Sequence, residues 1–357
     1  MEESLHLQEA AWIYRRYGMD AQAAALEARL ATLMNGVTEA EIVPGSVTAP
    51  AGTMTEGGTF FVTLRNGIRG VFKAGQEATV AQFRARGLDA SNAKILVDEN
   101  AELADAVFSE VSGAHLVSHS VPFEFRGVSG TLHYRLSGVS DAPDEHVMTP
   151  LSQVYNFVSG QMDNRPGNGM IFNDSTVAAG MGGEALIDRG SAWVDGTGHG
   201  ILIWENFVEW RHGLAERADL TPEQRHFSTG SSPYFLYGVM MRYPPEQWLA
   251  RMREDPVLAH LPIDAKQILK WQRDLRTRVA EIFATEAGGA EAYDYLMGLR
   301  REHGERAGAG RLSPSRVDAA WGRVLQLRRW MEELRPRPEW LERRLGRAPP
   351  PPSVPRR

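Results

Sequence analysis

The chain has 357 residues, of which 43% are hydrophobic and 24% charged, with a formal net charge of −6 and no cysteine. That is enough apolar material for a substantial core. The charge balance gives no overall pull toward nucleic acid, the missing cysteines exclude a disulfide framework and thiolate metal sites, and no stretch is apolar for long enough to read as a membrane span.

The opening Met-Glu-Glu-Ser lacks the basic and apolar regions of a secretory signal, so a cytoplasmic protein is expected. Residues 5–34 read as one Ala-rich helix with apolar Ala11, Ile13, Leu26, Leu30 and Leu33, stopped by Asn35-Gly36. From Thr53 to Lys73 the chain reads as a hairpin. Phe60–Leu64 and Ile68–Lys73 are rich in aromatic and β-branched residues, and Asn66-Gly67 suits the positive backbone dihedrals of a tight turn. Upstream, Gly57 and Gly58 would let backbone amides approach a phosphate, although two glycines more often mark a plain turn. Lys73 closes the second strand, where a lone lysine is usually solvated.

Glu102–Val111 follows with Leu103, Ala106, Val107 and Glu110 at helical spacing, and Gly113 is its stop. Leu116–Phe123 and Gly127–Leu136 are two further strand candidates. A lysine, an acidic helix and more sheet therefore arrive in the order that an ATP-dependent phosphotransferase needs.

The segment Asp163-Asn164-Arg165-Pro166-Gly167-Asn168, with Ala185-Leu186-Ile187-Asp188-Arg189-Gly190 beyond it, sharpens that expectation. Phosphoryl transfer is mainly positioning and charge neutralisation. A carboxylate at Asp163 can orient an acceptor hydroxyl, while an amide at Asn168 and a carboxylate at Asp188 offer hard oxygens to magnesium. Each half alone is weak, because Asn, Gly and Pro are ordinary turn residues and Asp often caps a helix.

Over roughly residues 53–195 the motif order resembles the atypical kinases of the phosphatidylinositol-kinase-like superfamily, with the bacterial HipA kinases and the Golgi casein-kinase group. The matching residues are Phe72-Lys73, the Glu102 helix, Gly113, Leu116–Pro122, Gly130-Thr131-Leu132-His133, the Asp163–Asn168 loop and Leu186-Ile187-Asp188-Arg189-Gly190. The resemblance implies a two-lobed α+β fold with a small β-rich lobe and a larger helical one. It also implies ATP and magnesium as cofactors and a hydroxyl-bearing acceptor, with protein or peptide placed ahead of a small molecule. By the same resemblance, Lys73 takes the ATP phosphates, Glu102 holds that lysine, Asp163 serves the acceptor, and Asn168 with Asp188 binds the metal. Asn164-Arg165 replaces the family's Arg-His pair, a departure within the loop.

Further on, His199 in a glycine-rich stretch reads as a loop or packing residue, and Ile201–Gly213 reads as a helix carrying Trp204, Phe207 and Trp210. Helices are expected over 246–253, 265–285, 290–302 and 315–334, the last with a stripe of Trp321, Val324, Leu325, Arg328, Met331 and Leu334. The arginine-rich flank from Arg335 reads as solvated, and Pro349–Pro352 as extended. The expected organisation is a helical extension over 1–36, a small lobe over 37–140, a large lobe over 141–347 and a tail over 348–357. A small-molecule kinase, a transferase moving another group from ATP, and a non-catalytic nucleotide-binding module are the competing readings.

Overall fold

The computed structural model describes residues 6–49, 58–85, 98–142, 146–161, 168–172, 183–193, 218–219, 221, 247–254, 259 and 265–347, and these form an α+β architecture. Where one helix was expected over residues 5–34 there are two, α1 (Leu7–Arg16) and α2 (Asp20–Met34). Gly18, at φ +71°, takes a left-handed conformation that turns the chain back between them. The hairpin is closed by Arg15, whose Nε and Nη2 donate to Glu27 at 3.0 and 2.6 Å. Its apolar face, with Leu7, Trp12, Leu30 and Met34, packs into the core of the first sheet.

That sheet begins with the expected hairpin, β1 (Thr59–Thr63) and β2 (Arg69–Ala74), in antiparallel register with Thr59 opposite Lys73. After β2 comes a helix with no sequence counterpart in the expectations, α3 (Gln76–Ala85), whose first amide is capped by the Glu99 carboxylate at 2.8 Å. Then α4 (Glu99–Val111) starts three residues earlier than expected, because Asp98 caps it by accepting from the amides of Asn100 and Ala101. Gly113, at φ +79°, lies just past its end. The chain returns through β3 (Ser120–Phe125) and β4 (Val128–Tyr134), completing the order β1-β2-β4-β3.

Side chains alternate across the sheet, so Phe72 and Ala74 enter the core while Lys73 emerges on the face where Glu102 of α4 lies. Phe60, Phe72, Phe123 and Phe125 fill the opposite face with ring centroids 5.3–6.5 Å apart. β4 must run close to β2 at this point. A Cβ on Gly130 would lie 2.0 Å from the Lys73 carbonyl oxygen, so only glycine permits the approach.

A second antiparallel sheet, β5 (Val139–Asp141), β6 (Gly169–Phe172) and β7 (Glu184–Leu186), follows in that order. Between its first two strands lies α5 (Pro150–Ser159), capped by Thr149 and ended by Gly160 at φ +66°. The bond from the Leu186 amide to the Leu116 carbonyl, 2.7 Å, links this sheet to the chain entering β3.

The rest of the described chain is helical: α6 (Trp248–Glu254), α7 (Ala265–Ile282), α8 (Glu286–Gly298), α9 (Arg301–Gly308), α10 (Pro314–Glu333) and α11 (Glu339–Arg347). Three expectations need correction. The span 290–302 is not one helix, because Leu299 and Arg300 are extended between α8 and α9. On α10 the expected stripe holds at Val324, Met331 and Leu334, but Leu325 is half-exposed, and Val317, Ala320, Arg323, Leu327 and Trp330 also face inward. The arginine-rich flank is not simply solvated, since α11 buries Trp340 and Leu341 in the main helical core. No described helix is long and apolar enough to cross a membrane.

Candidate functional site

Lys73, Glu102 and Asp188, separated by up to 115 residues in sequence, meet at one point. The Lys73 ammonium donates to Glu102 Oε1 at 2.9 Å and to Asp188 Oδ1 at 2.6 Å. Three elements deliver them: β2 presents the lysine on its α4-facing side, the first turn of α4 presents the glutamate, and the turn after β7 presents the aspartate. Asp188 sits at φ +55° immediately before a short 3-10 turn, Arg189–Ser191, and its carbonyl is held by Gln161 Nε2 at 2.7 Å.

The three differ in exposure in a way that suits different tasks. Glu102 is buried and Lys73 mostly so, while the Asp188 side chain is 47% exposed. Burial opposes charge on Lys73, but the Asp188 and Glu102 carboxylates outweigh it and raise the ammonium above its ordinary pKa. For Glu102, burial pushes the carboxyl up and Lys73 and His133 pull it further down, so the net result lies well below the usual range. Lys73 and Glu102 are therefore each held in the charged form by their partners.

Residues to which the sequence reading gave no role complete the glutamate's surroundings. Glu102 Oε2 accepts from Thr131 Oγ1 at 2.9 Å and from His133 Nε2 at 3.0 Å, and the far ring nitrogen of His133 meets Ser120 Oγ at 2.6 Å. Because an ionised carboxylate only accepts, Nε2 must carry the hydrogen that points to it. Thr131 and His133 belong to the Gly130–His133 segment, but strand alternation alone does not say which helix covers that face.

Asn168 precedes β6 and is buried, and its carbonyl accepts from the Ile187 amide at 2.9 Å. The register that sets Gly169 against Leu186 thus puts Asn168 beside the residue preceding Asp188. Gly58 is buried at the start of β1 and spends its carbonyl on the Ala74 amide at 2.7 Å, beside Lys73. Asp163, Gly57, His199 and the expected helix 201–213 lie outside the described residues.

Behind the Lys73 cluster is a second buried network. Arg189 donates from Nε to Asp105 Oδ2 at 2.5 Å, from Nη1 to Asn156 Oδ1 at 2.7 Å and from Nη2 to Ser159 Oγ at 2.8 Å. Trp193 Nε1 donates to Asp105 Oδ1 at 3.0 Å, and the Tyr155 hydroxyl donates to the Asp105 carbonyl at 2.9 Å. Burial raises the Asp105 carboxyl above its ordinary value, with Arg189 pulling the other way. Nothing in the local sequence marks Asp105 as buried, since an acidic residue in mid-helix is normally an exposed one.

No known family model matches the chain, and no curated protein matches it.

Proposed function

We propose that the protein is an ATP- and magnesium-dependent phosphotransferase of two-lobed, kinase-like arrangement that phosphorylates a hydroxyl, with a protein or peptide as acceptor. The observation that carries this reading is the Lys73 ammonium bridging buried Glu102 on a helix and half-exposed Asp188 on a distant turn. Strongly coupled charges of this kind, buried on one side and open to solvent on the other, cluster at functional sites.

An ammonium has three N–H groups. Two are spent on Glu102 and Asp188, and the third is the one this reading gives to a phosphate oxygen. Glu102, itself held by Thr131 and His133, keeps the ammonium aimed. Asn168 and Asp188 would hold magnesium. Their amide and carboxylate oxygens are the hard donors that ion prefers, the carboxylate is open enough to receive it, and waters and phosphates would complete its shell. Bound there, magnesium would neutralise charge on the phosphates. Asp163, five residues before Asn168, is assigned to orient the acceptor hydroxyl and take its proton as the new oxygen–phosphorus bond forms and ADP leaves.

Terminally labelled ATP with magnesium, offered to protein, peptide, lipid and small-molecule pools, tests the reading directly. Asp188→Ala should abolish the magnesium dependence of nucleotide binding measured by calorimetry. Asp163→Ala should lower turnover about 10²- to 10⁴-fold with little change in nucleotide affinity. A wild-type protein that binds no magnesium-ATP overturns the proposal, and one that binds it but labels nothing is a nucleotide-binding module.

A further inference from the structure

Two carboxylates hold Lys73, and each has a buried neighbour in a second ion pair. Asp105 lies three residues after Glu102 on α4, about 4.5 Å further along the helix axis, and Arg189 directly follows Asp188. The Asp105–Arg189 contact, 2.5 Å with both side chains almost fully buried, thus joins the helix that carries Glu102 to the turn that carries Asp188. Two more bonds run between the same elements: the Asp98 amide to the Gly190 carbonyl at 3.1 Å, and Trp193 Nε1 to Asp105 at 3.0 Å.

The turn is also fastened to α5. Arg189 reaches Asn156 and Ser159, and the Trp193 amide donates to the Ser159 carbonyl at 2.6 Å. The Phe108 ring packs edge-on against Trp193 at 5.1 Å and lies tilted over Tyr155 at 5.6 Å, covering the network with apolar surface. Such a construction is poor value as stability, because a buried ion pair seldom outperforms well-packed apolar residues of the same size. It is strongly directional, since the guanidinium offers donors in a planar fork whose three directions are all used here.

We infer that Asp105 and Arg189 are positioning residues that fix the separation of Glu102 from Asp188, and so keep the Lys73 site assembled before any ligand arrives. The functional meaning of that assembly rests on the phosphotransferase reading, but the assembly itself is measurable without it. α4 is not a swinging element under this view. Its inward position is locked from behind by side chains that never touch nucleotide or acceptor.

The experiment uses the full chain with Asp105→Asn, Arg189→Lys and the apolar double replacement Asp105→Leu with Arg189→Met. The double variant guards against simple misfolding, because removing both charges together leaves neither one buried alone. Brief acylation with an amine-reactive ester, read by peptide mass spectrometry, reports Lys73 against the internal standards Lys266 and Lys270 on α7. In folded variants, Lys73 labelling should rise at least about 5-fold relative to those standards. Magnesium-ATP affinity should fall about 10-fold or more, even in the double variant with an unfolding midpoint close to wild type. Unchanged Lys73 labelling in a folded variant overturns the inference, as does a double variant that keeps both stability and magnesium-ATP affinity. If wild-type protein binds no magnesium-ATP, the nucleotide reading fails and the labelling result alone decides the positioning role.

Discussion

Replacing Glu102 by Gln removes one charge while keeping nearly the same shape, which makes it the most direct probe of the Lys73 cluster. Glu102 is 3% exposed and accepts from Lys73, Thr131 and His133. Breaking a buried ion pair from one side costs about 3–5 kcal/mol. Lys73 retains Asp188 at 2.6 Å and some solvent contact, so the lower end, about 3 kcal/mol, is expected. The pH dependence adds a second signature. The folded pKa of Glu102 lies below its ordinary 4.5, so its contribution is present above that value and is lost as pH falls through the folded pKa. The folded pKa of Lys73 lies above its ordinary 10.5, so its contribution is present below that value and is lost as pH rises through the folded pKa. Urea unfolding across pH should therefore show a wild-type advantage over Glu102→Gln that is flat from about pH 5 to 10 and shrinks in acid below about 4.5. Equal stability of the two proteins at pH 7, or parallel acid limbs, would refute the reasoning.

Two further outcomes follow from the sheet that presents Lys73. Phe72→Ala empties a side chain that is 1% exposed and touches three other phenylalanines, so the unfolding free energy should drop by about 3–5 kcal/mol in urea titration. A drop below about 1 kcal/mol would mean that the aromatic cluster is not packed as described. Gly130→Ala would place a methyl 2.0 Å from the Lys73 carbonyl oxygen, which the backbone must move to relieve. It should therefore destabilise by about 1–3 kcal/mol or more, and a neutral result would show that β4 does not run so close to β2.

Much of the first sheet was legible because its signals are local. Asn66-Gly67 makes a turn wherever it sits between two β-rich segments, and Gly113 marks the stop of α4, whereas the Asp98 cap that starts the helix at Glu99 rather than Glu102 went unread. Lys73, Glu102, Asn168 and Asp188 were also named from motif order, since strand, helix and strand carry them in a recognisable sequence. The helix boundaries failed where competing local signals are weak. An Ala-rich run with a single glycine does not say whether Gly18 is tolerated in a helix or turns the chain, and packing of α1 and α2 on the sheet decided for the turn. On α10, Leu325 of the expected stripe is half-exposed, while Arg323, which lay outside it, is buried because it finds the Val158 carbonyl at 2.9 Å, a partner on a helix more than 160 residues away.

The sequence by itself determined which residue types were on hand for charge chemistry, the alternation that turns Lys73 away from the Phe72 core, and the Asn66-Gly67 turn that pairs β1 with β2. Only the tertiary structure decided that His133 and Thr131 face Glu102, that Asp105 is buried, and that Arg189 joins α4 to the turn holding Asp188. The physical reason is that propensity and periodicity act over a few residues, whereas a charge's partner is set by which surfaces pack together. A buried aspartate and an exposed one look alike in the chain until an arginine 84 residues away is seen to meet it.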